Sequence, residues 1–340
     1  MTTGRADFGR LRRALRREDV GLPMAMMELH VDDAVMTSIM GRPTSRRDVL
    51  SLLEFQKAMG YDYVNVYSDL VLEFRRASVG GDGGPSGGRS FVDEQQGPIT
   101  TAAEFEAYPW PDPQATTCGN FARARAHLPE GMAMIARCHG PFEWGTWLMG
   151  IQTFCMALAM DRDLVERVFA RVSDLIVEEV SRMVVQEGVG AVWITDDLGF
   201  NQGTFVSPAD LRRLVFPTYR AICRLARQRD LPVLLHSCGK LDAVLGDVVD
   251  CGIIALHSLP PALYDLASLK ADWGDRLCLL GNVDVDLLTR GRPEDVRAAV
   301  RRLREEAYRG GGLILSSSNS IADYCRVENY LAMFDEARKV

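Results

Sequence analysis

Leu231-Pro-Val-Leu-Leu-His-Ser-Cys-Gly239 decides how the chain is read. This apolar run, bounded by Pro232 and Gly239, is too short for a helix, and it carries no polar residue before His236. That is the signature of a parallel strand buried on both faces. His236 and Cys238 stand where the strand ends. Side chains two residues apart on a strand point to the same side, so the imidazole and the thiol can converge on one point. Zinc takes both nitrogen and sulfur, and a His-x-Cys pair offers one of each if further ligands arrive from elsewhere. The plainer reading is a buried thiol beside a hydrogen-bonded histidine.

Seven more short apolar runs flank this one, at 22–29, 61–67, 132–136, 191–194, 253–256, 277–280 and 313–315. Between them lie stretches with apolar residues at three- and four-residue spacing, such as 161–187 and 293–308. Strand and helix in alternation predict a parallel sheet, and eight such units predict a closed (β/α)8 TIM barrel over 21–340. The alternative is an open doubly wound sheet, but no strand is followed by the G-x-G-x-x-G turn of a dinucleotide fold. Residues 1–20 are Arg-rich and read as a solvated N-terminal helical extension.

Composition fits an ordinary globular chain, with 340 residues, 47% of them hydrophobic and 25% charged. A net charge of −7 supplies no basic field for nucleic acid. No apolar run approaches the ~18 residues of a membrane span, and no secretory signal is apparent, so a cytoplasmic location is expected. The eight cysteines have no framework spacing and are expected to be core thiols and metal ligands.

In a barrel of this kind function collects at the C-terminal ends of the strands. The expected ends carry Glu28 and His30, Ser68-Asp69, Cys138-His139, Asp196-Asp197, His236-x-Cys238, His257, Asn282 and Asp284, and Ser316-Ser-Ser-Asn319. Strand ends are also simply where polarity begins, so each residue alone says little. Asp196 and Asp197 can act as a general base, as a cation clamp or as helix caps, and either could reach a metal or orient His236. The run Gly140-Pro-Phe-Glu-Trp-Gly-Thr-Trp147 sets Glu143 among aromatic rings that either wall the mouth or pack under the helices. A glycine-rich stretch at 80–88 reads as a loop that closes over a ligand or as plain surface.

These residues together resemble the uroporphyrinogen decarboxylase superfamily, which includes zinc- and cobamide-dependent methyltransferases. The resemblance rests on Tyr67-Ser-Asp69, Tyr108-Pro-Trp-Pro-Asp-Pro113, Gly140-Pro-Phe142, Ser207-Pro208, His236-Ser-Cys-Gly239, Gly281-Asn-Val-Asp284, Gly311-Gly-Leu-Ile-Leu315 and Glu328-Asn329. The decarboxylase branch places arginines after the first strand, where this chain has Glu28-Leu-His-Val-Asp-Asp33. Asp69 matches the aspartate that holds pyrrole nitrogens there, but the rest of that site is absent.

The methyltransferase branch implies zinc on His236 and Cys238 with a cysteine at the end of the last strand, and here that position is Asn319. Asparagine is a poor zinc ligand, so His257 is the first substitute and Cys325 the second. The expected catalytic residues are Asp69, Glu143, Asp196 and Asp197, with His139 and Asn319 toward the cofactor. The resemblance implies methyl transfer between a small methylated substrate and a corrinoid. No D-x-H-x-x-G stretch marks a cobalamin domain, so the corrinoid would come free or on a separate protein, and a homodimer stays open. A metal-free lyase acting on another substrate, anchored by Asp69, and a noncatalytic ligand-binding barrel are the alternatives. Glu28, Asp69, Glu143, Asp196 and Asp197 among Phe142, Trp144 and Trp147 point to a cationic or neutral aromatic ligand rather than a polyanion.

Overall fold

The computed structural model describes residues 5–78, 90–93 and 95–340, so the glycine-rich stretch at 80–88 lies outside the described residues. Seven parallel strands curl around one core: β1 (Tyr63–Tyr67), β2 (Ala133–His139), β3 (Val189–Thr195), β4 (Val233–His236), β5 (Ala255–His257), β6 (Cys278–Val283) and β7 (Leu313–Ser317). Each is hydrogen-bonded to its neighbour in chain order, with helical segments in the connections. This is the TIM-barrel architecture expected from the alternating runs. Cα register sets His139 beside Thr195, Thr195 beside His236 and His236 beside His257, so the polar strand ends form a single layer.

The first expected run, 22–29, takes the eighth place without becoming a strand. Met26 bridges Leu315 and Val31 bridges Ile321, both in parallel sense. Toward β1 the ladder is replaced by side chains. The Tyr63 hydroxyl accepts from the Glu28 N–H at 2.7 Å and donates to the Glu28 carbonyl at 2.9 Å. Asn65 and Arg137 both donate to the Leu29 carbonyl, at 3.1 and 2.9 Å. Interior backbone groups need partners, and a long side chain bridges a wider gap than a backbone pair does. The barrel is therefore splayed between residues 28–31 and β1, and a cavity opens there.

Five helices matter to the site or to the sequence reading: α1 (Phe8–Leu15), α2 (Val49–Met59), α3 (Pro141–Met149), α4 (Arg162–Met183) and α5 (Pro293–Leu303). The last two fall inside the predicted helical stretches, and α5 runs on into a π-helical turn at Arg304–Tyr308. The N-terminal segment departs from expectation. Instead of being solvated, α1 buries Phe8, Leu11, Ala14 and Leu15, with the Phe8 ring against Gly190 at the start of β3. Its arginines face outward, which made the amphipathic segment look more polar than its buried stripe is. No helix among the described residues is long and apolar enough to cross a membrane.

Candidate active site and metal centre

A cavity of about 700 Å³ occupies the splayed side of the barrel, reached by Glu28, His139, Glu143, Asp197, His236, Cys238 and Asn319. At its edge the ligand atoms of Asp197, His236 and Cys238 lie within 4.8 Å of one another. His236 Nε2 is 3.6 Å from Cys238 Sγ and 3.6 Å from Asp197 Oδ1. A tetrahedral zinc with ~2.0 Å bonds to nitrogen and oxygen and ~2.3 Å to sulfur has edges of roughly 3.5 Å, so this donor set fits such an ion. The loop that delivers Cys238 turns at Gly239, whose φ of +84° and contact with the Gly199 backbone leave no room for a Cβ.

Side chains behind His236 fix which of its nitrogens is free. His257, fully buried on β5, lies with Nε2 3.3 Å from the Ser317 carbonyl, which can only accept. A proton on that nitrogen leaves His257 Nδ1 as acceptor for His236 Nδ1–H at 2.7 Å. His236 Nε2 then presents a lone pair toward Cys238 and Asp197. Burial holds both rings neutral, pushing His257 down to about 3 and His236 well below the ordinary histidine value. His257 thus sits behind His236, on the side away from the thiol, while Cys325 is buried elsewhere with its sulfur 3.8 Å from Thr289 Oγ1. Neither stands with the pair. The third donor brought together with His236 and Cys238 is Asp197, whose Oδ1 also accepts the Cys238 N–H at 2.8 Å. Asn319 does reach the thiol, with Nδ2 3.2 Å from Sγ.

The other expected acids separate. Asp196 is fully buried and accepts from the N–H groups of Phe142 (3.2 Å) and Glu143 (2.7 Å) and from the Tyr219 hydroxyl (2.8 Å). It caps α3 from the end of the neighbouring strand, and a Cβ on Gly140 would fall 2.1 Å from its Cγ. Burial, then the nearby Glu143 charge, pushes the Asp196 carboxyl well above its usual range. Asp69 is exposed and is not among the residues that line the cavity; Gly119 N–H and the cavity-lining Asn120 donate to it at 3.3 Å. Glu28 accepts from the Ser317 N–H (2.6 Å) and hydroxyl (2.7 Å), and burial raises its carboxyl to about 8. Glu143 Oε2 lies 3.3 Å from His139 Nδ1, and burial lowers that imidazole to about 4. His139 packs against Tyr67, Trp144 and Trp147; of these rings Tyr67 lines the large cavity, Trp147 lines a smaller hollow with Phe142, and Trp144 is buried.

Sequence reasoning missed the basic side of the cavity. Arg46, Arg47 and Arg137 all line it, where the expectation is of acids set among aromatic rings. Arg137 lies one residue past the point where the run 132–136 seems to end. β2 in fact continues to His139 and turns Arg137 inward between Tyr67 and Trp193, with its guanidinium carbon 5.5 and 4.7 Å from their ring centres. The two-residue spacing from Arg137 to His139 was the available signal.

The family model for uroporphyrinogen decarboxylase (URO-D) matches residues 11–340. The chain belongs to the uroporphyrinogen decarboxylase family. A methylcobamide:CoM methyltransferase MtaA of Methanosarcina barkeri is 25% identical over 209 residues, which are 62% of this chain and 59% of that protein. The protein of the same name from the Fusaro strain is 24% identical over the same shares. The chain thus aligns with under two thirds of the length of these relatives. A solved methyltransferase from Methanosarcina mazei shares the fold with a TM-score of 0.69 at 17% identity, covering 96% of this chain and 97% of its own.

Proposed function

We propose that this member of the family is a methyltransferase that moves a methyl group between a small methylated substrate and a corrinoid, with zinc held by Asp197, His236 and Cys238. One observation carries the reading. Two of the three donors, Asp197 and Cys238, line both the large cavity, which His236 also lines, and a second hollow of about 220 Å³ walled by Phe142, Trp147 and Phe205. A transfer reaction needs two partners on opposite sides of one centre. The names of the relatives, methylcobamide:CoM methyltransferase, support the same class.

Zinc bound there would supply Lewis acidity, holding a thiol as thiolate at neutral pH or polarising a methyl donor. The protein's own part is preparation. The relay from the Ser317 carbonyl through His257 keeps His236 Nε2 unprotonated and aimed. Burial, then the neighbouring Asp197, holds the Cys238 thiol well above its ordinary pKa, so it stays protonated until a cation offsets the cost. His139 and Glu143 sit where a proton could be exchanged with a bound acceptor. The lyase alternative finds less support, because Asp69 is not among the residues that line the cavity.

Elemental analysis of protein purified without chelator tests the reading: about one zinc per chain is expected, falling below a tenth of an equivalent in Cys238→Ala. Wild-type protein with so little zinc, and no uptake on adding it, would sink the metal centre. Demethylation of methylcobalamin by a small thiol, followed by its absorbance change, checks the transfer itself.

A further inference from the structure

Arg137 is a buried cation with no counter-ion among the described residues. The residue is only 2% exposed. One nitrogen, Nη1, donates to the Leu29 carbonyl, while Nε has no hydrogen-bond partner. Among the described residues no carboxylate lies within ion-pair distance of the guanidinium, and the rings of Tyr67 and Trp193 offer it only their faces. The carboxylates that share the cavity are engaged elsewhere: Glu28 with Ser317, Glu143 with His139, Asp197 with the Cys238 amide and His236. A buried, unpaired charge is costly unless something neutralises it in the working state.

We propose that Arg137 is the anchor for a carboxylate on the small molecule that enters the barrel cavity. The unused Nε–Nη2 edge is the one a planar carboxylate meets with two parallel hydrogen bonds, a match that a point cation such as lysine lacks. The anchor stands on β2 two residues before His139, so a carboxylate held by it directs the rest of the ligand past Tyr67 and His139 toward Glu143 and the Asp197, His236 and Cys238 donors, which line the same cavity. Arg47, which also lines the cavity, adds positive potential that draws an anion in, while Arg46 beside it is paired with Asp32 at 3.0 Å. The inference rests on the cavity being the substrate site of the proposed reaction and names the substrate class: a methylated carboxylic acid rather than a methylated amine.

Three probes of one shape and different charge, benzoate, benzamide and benzylammonium, together with acetate as a small acid, test it by calorimetry and thermal shift. Benzoate or acetate should bind wild-type protein saturably below 10 mM and raise its melting temperature, with benzamide and benzylammonium at least ~10-fold weaker. Arg137→Met should lose that preference, and Arg137→Lys, which keeps the charge and can still reach the Leu29 carbonyl, should bind the acids at least ~10-fold less tightly than wild type. Equal binding of the three probes, acid binding retained in Arg137→Met, or no saturable acid binding by wild type would each overturn the proposal. Zinc content of the same preparations reports separately on the metal centre, so either reading can fail while the other stands.

Discussion

Asp196 and Asp197 are consecutive and leave the same strand end, yet they serve different parts of the molecule. Asp196 points into the packed layer between β3 and α3 and ends among two N–H groups and a tyrosine hydroxyl, with no exposure. Asp197 points into the cavity, about a third exposed, beside an imidazole and a thiol. Opposed orientation follows from the alternation of a strand continued one residue past its last pairing. What differs is the demand each carboxylate meets: one satisfies the open end of a helix, the other leaves a lone pair facing a space. A perturbed carboxyl is thus no mark of chemistry by itself, since burial raises the pKa of both.

The contrast can be broken by exchanging the expected consequences. Asp196→Ala should lower unfolding free energy by about 3 kcal/mol in denaturant titrations, because it strips a cap and leaves buried donors unpaired, while the folded fraction keeps its zinc. Asp197→Ala should do the opposite, weakening zinc retention by ~10- to 100-fold in competition with a chelator and moving the unfolding midpoint of metal-free protein little. Zinc loss from the first variant, or unchanged zinc in the second, would erase the distinction.

His257→Ala sharpens the picture one layer back. It removes the group that sets the tautomer of His236, so zinc should be held ~10-fold more weakly, with His257→Gln recovering part of the loss through a remaining acceptor. Cys325→Ser should leave zinc unchanged.

A smaller effect is expected at Glu28, which burial keeps protonated to about pH 8 in the folded state against 4.5 ordinarily. Between these values the folded protein holds a proton that the unfolded chain has released, so the contribution of Glu28 to stability is fully present below pH 4.5 and falls away toward pH 8. Glu28→Gln removes that dependence. The stability of the variant relative to wild type should therefore rise by more than ~1 kcal/mol from pH 5 to pH 8.5, measured by denaturant unfolding at both values. A flat difference would place an unrecognised cation beside Glu28.

Local pattern was enough for much of this protein. Apolar runs alternating with 3.6-residue periodicity carry the barrel, because each element must bury one face and parallel strands must bury both. The two-residue spacing of His236 and Cys238 put a nitrogen and a sulfur on one side of a strand without any knowledge of what lay opposite. Tertiary structure alone decided the partner. Asp196 and Asp197 are indistinguishable in sequence, and only the packing of α3 against β3 assigns one to a cap and the other to the cavity. His257 is adjacent to His236 in register, but whether it stands before or behind the imidazole depends on the Ser317 carbonyl of β7, sixty residues on. Arg137 was hidden for the same reason: an arginine at the end of a strand reads as solvated until the splay between residues 28–31 and β1 shows that it is buried against a cavity inside the barrel.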